Sequence, residues 1–126
     1  MNASRIRILQ EALLEQGLSC AFLVPGPNLQ YLTRLQLEAF ERVILGIVPP
    51  AGDIAFVVPQ LEADKVRAHT GAHMHCGAVF PYTDDAGPLD AVCQALRALG
   101  LRIGPTVVGA EFLHMRLLDR DIIERA

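Results

Sequence analysis

Lysine is almost missing from this 126-residue chain: Lys65 stands alone, and the other ten of its eleven basic residues are arginines, scattered from Arg5 to Arg125. With fourteen acidic residues the net charge is −3, so there is no basic patch for a phosphate backbone, and nucleic acid is excluded as a partner. Cysteine is also scarce. Cys20, Cys76 and Cys93 are odd in number and far apart, which argues against a disulfide framework and suggests reduced thiols in a cytoplasmic protein. The longest apolar run, Val43 to Val48, ends at Pro49-Pro50 and is too short to span a bilayer. The charged amphipathic start has no apolar signal core and no small-residue cleavage site, so the sequence reads as soluble, with no membrane partner.

Phosphate-loop chemistry is missing too. Gly26, Gly52, Gly104 and Gly109 form neither a G-x-G-x-x-G nor a G-K-[ST] frame. Ser4 reads as a helix cap and Ser19 as a strand entry, and neither lies in G-x-S-x-G. What the chain does have is apolar bulk: 52% hydrophobic against 20% charged residues, enough for one packed domain over 1–126.

Apolar periodicity gives the elements. Ile6, Leu9, Leu13 and Leu14 predict a first helix, capped by Asn2 or Ser4 and closed by Gly17. Ala21-Phe22-Leu23-Val24 is a strand buried on both faces, and Asn28 to Thr33 one helical turn capped by Asn28. Arg34 to Arg42 reads as a loop. Arg42 to Val48 and Ile54 to Val58 flank a Pro/Gly/Asp turn and predict an antiparallel hairpin. Leu61 to Ala68 follows as a helix, and His73 to Tyr82 as a weak strand. Pro88 opens a helix with the stripe Leu89, Val92, Cys93 and Leu96. A short strand at Thr106-Val107-Val108 precedes a final helix striped by Met115, Leu118 and Ile122. Strands alternating with helices around one hairpin predict an α/β domain with a mixed sheet covered by helices.

Candidate chemistry inside these elements is thin. His69, His73, His75 and Cys76 are zinc-type donors, but Thr70-Gly71-Ala72 argues against one helix through both of the first two, and no ligand frame is present. They read as a solvated loop and edge strand, not a metal site. Asp84-Asp85 reads as a turn whose carboxylates bond local N–H groups. Cys93 falls on an apolar stripe and Cys20 opens a buried strand, so neither has the electropositive exposure of a reactive thiol.

The order of short motifs resembles a known family. Asn28-Leu29-Gln30-Tyr31-Leu32-Thr33 is similar to the N-x-x-Y-L-T signature after the first strand in the amino-terminal domain of creatinase, prolidase and aminopeptidase P. Val57-Val58-Pro59-Gln60-Leu61-Glu62 and Val108-Gly109-Ala110-Glu111 resemble that domain's strand-proline-helix junction and its closing Gly-x-Glu. Arg34 departs from the pattern, because the family usually has glycine there; a backbone of positive φ at Arg34 would be strained.

The resemblance implies a ribonuclease H-like three-layer α/β domain that lacks catalytic residues. The active site is expected in a pita-bread domain absent from this chain, where two aspartates, a histidine and two glutamates hold two divalent ions, manganese, cobalt or zinc. No metal ligand is assigned here, Asp119 and Glu111 included. The implied parent is a metal-dependent Xaa-Pro dipeptidase or aminopeptidase acting on proline-containing peptides as a homodimer. The loop after the Y-L-T turn is expected to limit access to the partner subunit's site, with Arg34, Glu38, Glu41 and Arg42 as its polar groups. Asn28, Tyr31, Leu32, Thr33, Pro59, Gly109 and Glu111 are expected to be structural, with Tyr31 and Leu32 packed under the turn. The alternative implied is a free-standing or chaperone-like peptide-binding module without hydrolysis.

Overall fold

Burial in the strands follows the apolar runs. In a computed structural model, which describes residues 2–73, 76–101, 107–111 and 114–126, the chain forms a five-stranded sheet between two helical layers. The elements are α1 (Asn2–Gln16), β1 (Ala21–Leu23), α2 (Pro27–Thr33), β2 (Leu45–Val48), β3 (Ile54–Pro59), α3 (Gln60–His73), β4 (Cys76–Tyr82), α4 (Leu89–Ala98), β5 (Gly109–Ala110) and α5 (Leu117–Arg125). Strand order is β4-β3-β2-β1-β5. The pairs β1/β2 and β2/β3 are antiparallel, whereas β3/β4 and β1/β5 are parallel. This is the expected mixed sheet.

Side-chain alternation divides the sheet between two cores. Ala21, Leu23, Val48, Ile54, Phe56 and Val58 face one side, where Leu13 of α1, Leu29 and Leu32 of α2, and Ala63 and Val66 of α3 cover them. Phe22, Leu45, Ile47, Ala55 and Val57 face the other, under Ala91, Val92 and Ala95 of α4 and Ile122 of α5. Phe22 and Phe56 are almost fully buried, one on each face, each contributing roughly 2–3 kcal/mol of transfer free energy. Gly17 closes α1 at φ +69°, with Leu18 N–H on the Leu13 carbonyl at 2.9 Å and Gly17 N–H on that of Leu14 at 3.2 Å. That pair of bonds is a Schellman cap, as the first stripe and its glycine implied.

Several local expectations are corrected. α1 already contains Asn2 and Ser4, so neither stands in its capping position. In α2, Gly26 occupies that position and Pro27 follows it; Asn28 lies inside the helix. Tyr31 is 59% exposed instead of packed under the turn, and the Arg5 guanidinium sits 4.2 Å from its ring centroid, a cation–π contact. Leu32 is buried as expected. α3 runs on through Gly71 to His73, making one continuous helix through His69 and His73. The last strand is Gly109–Ala110, not Thr106 to Val108; Val107 and Val108 only lead into it, and Thr106 lies outside the described residues. Cys93 is half-buried, since α4 turns Ala91, Val92 and Ala95 inward.

Candidate functional site: the loop from Arg34 to Arg42

Between α2 and β2 the chain leaves regular structure but is not loose. Thr33, fully buried, donates its hydroxyl hydrogen to the Leu29 carbonyl at 2.6 Å, and its oxygen accepts the Leu35 N–H at 3.1 Å. These bonds turn the chain out of α2. Arg34 takes φ +63° to end that helix, its N–H reaching the Gln30 carbonyl at 2.7 Å. Leu35 and Leu37 then point into the core, while Gln36 and Glu38 point outward. Lys65 of α3 donates to the Gln36 carbonyl at 2.9 Å and fixes this stretch from the side.

The far end of the loop is held by two arginines. Arg116, just before α5, donates from its guanidinium to the Phe40 carbonyl and, at 2.6 Å, to the Arg42 carbonyl. Asp119 orients that guanidinium through bonds of 3.0 and 2.9 Å and also accepts the Arg116 backbone N–H at 3.1 Å, capping α5. Asp119 is 1% exposed. Arg42 forms a fork with Asp84, Nε to Oδ1 and Nη2 to Oδ2, both at 2.9 Å. Hydrogen bonding to the Arg42 fork holds the Asp84 carboxyl below the usual carboxylate range, and Asp84 in turn raises the Arg42 guanidinium. Bonding to Asp119 likewise raises Arg116. The result is a clamp that presents Phe40 at φ +49°, the residue 72% exposed.

Beside the loop runs a groove of about 470 Å³, bounded by Gln30, Gln36, Glu38, Phe40, Glu62 and Lys65. With Lys65 tied to the loop backbone, Glu38 and Glu62 give this groove an acidic lip. Chemically it suits an amino group next to an apolar side chain.

Of the four polar residues read as the access loop, the structure brings Glu38 to this groove and leaves Arg34 exposed at the helix end. Arg42 is turned away toward Asp84, with Glu41 3.7 Å from its guanidinium. Phe40, Asp84, Arg116 and Asp119 were not picked out as loop residues. The signal for Asp119 was its position three residues after Arg116, the spacing of an acid that reaches back to cap a helix. Among the motif residues, Pro59 ends β3 against Tyr82, Gly109 pairs with Ala21, and Glu111 accepts the Val24 N–H at 2.9 Å.

The His69 ring nitrogen lies 2.8 Å from the Thr33 carbonyl, while the side chains of His73, His75 and Cys76 lie outside the described residues. Among the described residues no three His, Cys, Asp or Glu side chains gather closely enough to hold an ion. Cys20 is buried, and desolvation pushes its thiol up to about 12, the opposite of nucleophile activation. Among the described residues no helix is long and apolar enough to cross a membrane.

Comparison with known proteins agrees with this architecture. The probable dipeptidase PepE of Mycobacterium tuberculosis is 32% identical over 94 residues, which is 75% of this chain and 25% of that protein. The chain thus spans about a quarter of the length of the curated relatives it matches. Among solved structures, a proline dipeptidase from Streptococcus agalactiae superposes with a TM-score of 0.80 at 20% identity, over 97% of this chain and 86% of that one. A dipeptidase from Pyrococcus horikoshii gives 0.73 at 26% identity, covering all of this chain and 32% of the other. PepE from Mycobacterium ulcerans gives 0.77 at 23%, covering 98% and 32%. The family model for the creatinase/prolidase N-terminal domain matches residues 5–119. The chain belongs to the creatinase/prolidase N-terminal domain family.

Proposed function

We propose that this chain is the non-catalytic front domain of a cytoplasmic, metal-dependent Xaa-Pro dipeptidase, and that its 34–42 loop governs access to the active site of a partner subunit in a homodimer. The observation that carries the reading is the clamp on that loop. A solvated connection has no need of two arginine forks, whereas a loop that meets a substrate gains from being fixed before binding. In this reading Phe40 contacts the apolar part of the peptide, and Glu38 and Glu62 attract its amino terminus. Arg116 and Arg42 do not touch substrate; they hold the loop in place.

The catalytic pita-bread domain lies elsewhere in the parent protein, as the quarter-length match to the PepE relatives supports. The chemistry expected of a bound pair of divalent ions in that domain is activation of water for hydrolysis. The purified 126-residue chain, incubated with manganese and a dipeptide ending in proline, is expected to show no turnover. The reading frame after Ala126 is expected to encode two aspartates, a histidine and two glutamates as ligands. Turnover by the chain alone would overturn the proposal. A downstream frame without those ligands would replace it with the peptide-binding module.

A further inference from the structure

α1 turns Ile6, Leu9 and Leu13 toward the core. Leu14, which the apolar periodicity grouped with them, turns outward instead and is 65% exposed, and Ile8 is 66% exposed. Arg7, Glu11 and Glu15 are exposed as well, and spacings of three, four and seven residues put all five on one stripe of the helix, away from the core. The helix beneath this stripe is fixed on its flanks: Arg5 donates to the Tyr31 carbonyl at 2.8 Å, and Gln10 donates to the carbonyls of Pro49 and Gly52, both at 2.9 Å. The side chains of Arg7, Glu11 and Glu15 have no hydrogen-bond or ion-pair partner among the described residues. Met1 to Ala3, at the start of the helix, carry no acidic side chain that could neutralise Arg7.

Arg7 stands at one end of the stripe and Glu15 at the other, with Ile8 and Leu14 just inside them and Glu11 in the middle. We propose that this stripe is a self-association surface, on which α1 of a second copy of the chain packs antiparallel about a two-fold axis beside Glu11. That geometry sets Arg7 against Glu15 of the second copy and Ile8 against its Leu14, each contact being made twice. Parallel packing would bring Arg7 to Arg7 and Glu15 to Glu15, so charge complementarity selects the antiparallel pair. Glu11 meets its own counterpart at the axis. That repulsion, and an interface of one helix face, keep the association weak, with a dissociation constant on the order of 100 μM. α1 lines no part of the groove beside the 34–42 loop, so the inference stands apart from the proposed peptidase role and survives its failure.

The test is sedimentation equilibrium of the 126-residue chain at low ionic strength, from about 10 μM to about 1 mM. A monomer–dimer equilibrium is expected, and a monomer throughout overturns the proposal. Arg7→Glu and Glu15→Arg each turn two attractions into two repulsions and are expected to weaken the dimer at least about tenfold. The double variant restores both pairs with reversed sign and is expected to return to within about threefold of the wild type. Glu11→Gln, which removes the repulsion at the axis, is expected to tighten the dimer. A dimer indifferent to both single reversals uses another surface and overturns the proposal, and so does a double variant that associates no better than the single ones. If a reversal disturbs folding, Leu14→Ser decides the matter, because that side chain is exposed and outside the core. A weaker dimer then supports the site, and an unchanged one overturns it.

Discussion

The Tyr82 hydroxyl accepts the Val43 N–H at 2.9 Å and donates to the Val43 carbonyl at 2.7 Å, so one side chain completes the backbone bonding of one buried residue. The reason lies in β3. With Leu45 opposite Val57, continuing the antiparallel register by two residues sets Val43 against Pro59, which has no N–H to give. Tyr82, paired with Pro59 on its other side, supplies from β4 what β3 cannot. This bond anchors the start of β2, and therefore the far end of the 34–42 loop.

Removing that hydroxyl leaves two buried backbone groups unpaired. Tyr82→Phe is accordingly expected to cost about 1–3 kcal/mol, read as a lower urea midpoint at unchanged m-value. Burial raises the Tyr82 phenol above its ordinary value of 10.0, partly offset by its bond to Val43. The folded state then binds this proton more tightly than the unfolded state, so stability is intact below pH 10 and falls as pH rises through the folded value. Urea midpoints measured from pH 8 upward should decline in the wild type and lose this component in Tyr82→Phe.

Asp119→Ala removes both the cap of α5 and the carboxylate that orients Arg116. A lost cap and a half-exposed guanidinium left without its carboxylate together predict a loss of about 2 kcal/mol. The loop should respond as well. Hydrogen exchange at the amides of Phe40 to Arg42 is expected to speed up more than exchange in β3 does. Equal acceleration in both would mean that Asp119 supports only general stability and not the loop.

The layered fold was legible in the sequence because its signals are local. Ala21 to Val24, the Pro/Gly/Asp turn before Ile54, and the α1 stripe ending at Gly17 each specify their structure within a few residues. The loop was legible too, as a polar break between apolar runs. Which of its side chains remain available was not. The orientation of Arg42 depends on Asp84, 42 residues away, and the carbonyls of Phe40 and Arg42 on Arg116, more than 70 away. The register of β5 was missed for a similar reason. Parallel pairing seats Gly109 against Ala21, where a Cβ would lie 3.5 Å from Leu18, and the apolar look of Val107 and Val108 does not reveal that choice. In α3, the helix runs through Gly71 although glycine there costs about 1 kcal/mol relative to alanine.

Gly46 has a tighter neighbourhood than its place in a strand suggests. A Cβ there would stand 3.2 Å from Leu29 Cδ1 and 3.5 Å from the Phe56 ring, and both side chains are fully buried. Gly46→Ala should therefore lose about 1–2 kcal/mol through overpacking, despite alanine's lower unfolded-state entropy. Pairing it with Leu29→Val, which shortens the obstructing side chain, should give a double mutant less destabilised than the sum of the two single changes.

Arg34 offers the opposite case, a side chain where the backbone favours none. At φ +63° a residue with a Cβ stores roughly 1–2 kcal/mol of strain. Glycine would relieve that strain but restore about 0.4–1 kcal/mol of unfolded-chain entropy. The balance predicts that Arg34→Gly stabilises the domain by about 0.5–1 kcal/mol. Arg34 is exposed, so no packing is lost to offset this gain. Chemical denaturation of Arg34→Gly beside Arg34→Ala separates the two contributions: alanine keeps the Cβ and should bring no gain, whereas glycine should raise the midpoint. A midpoint raised equally by both would trace the effect to removal of the arginine's charge and not to the backbone.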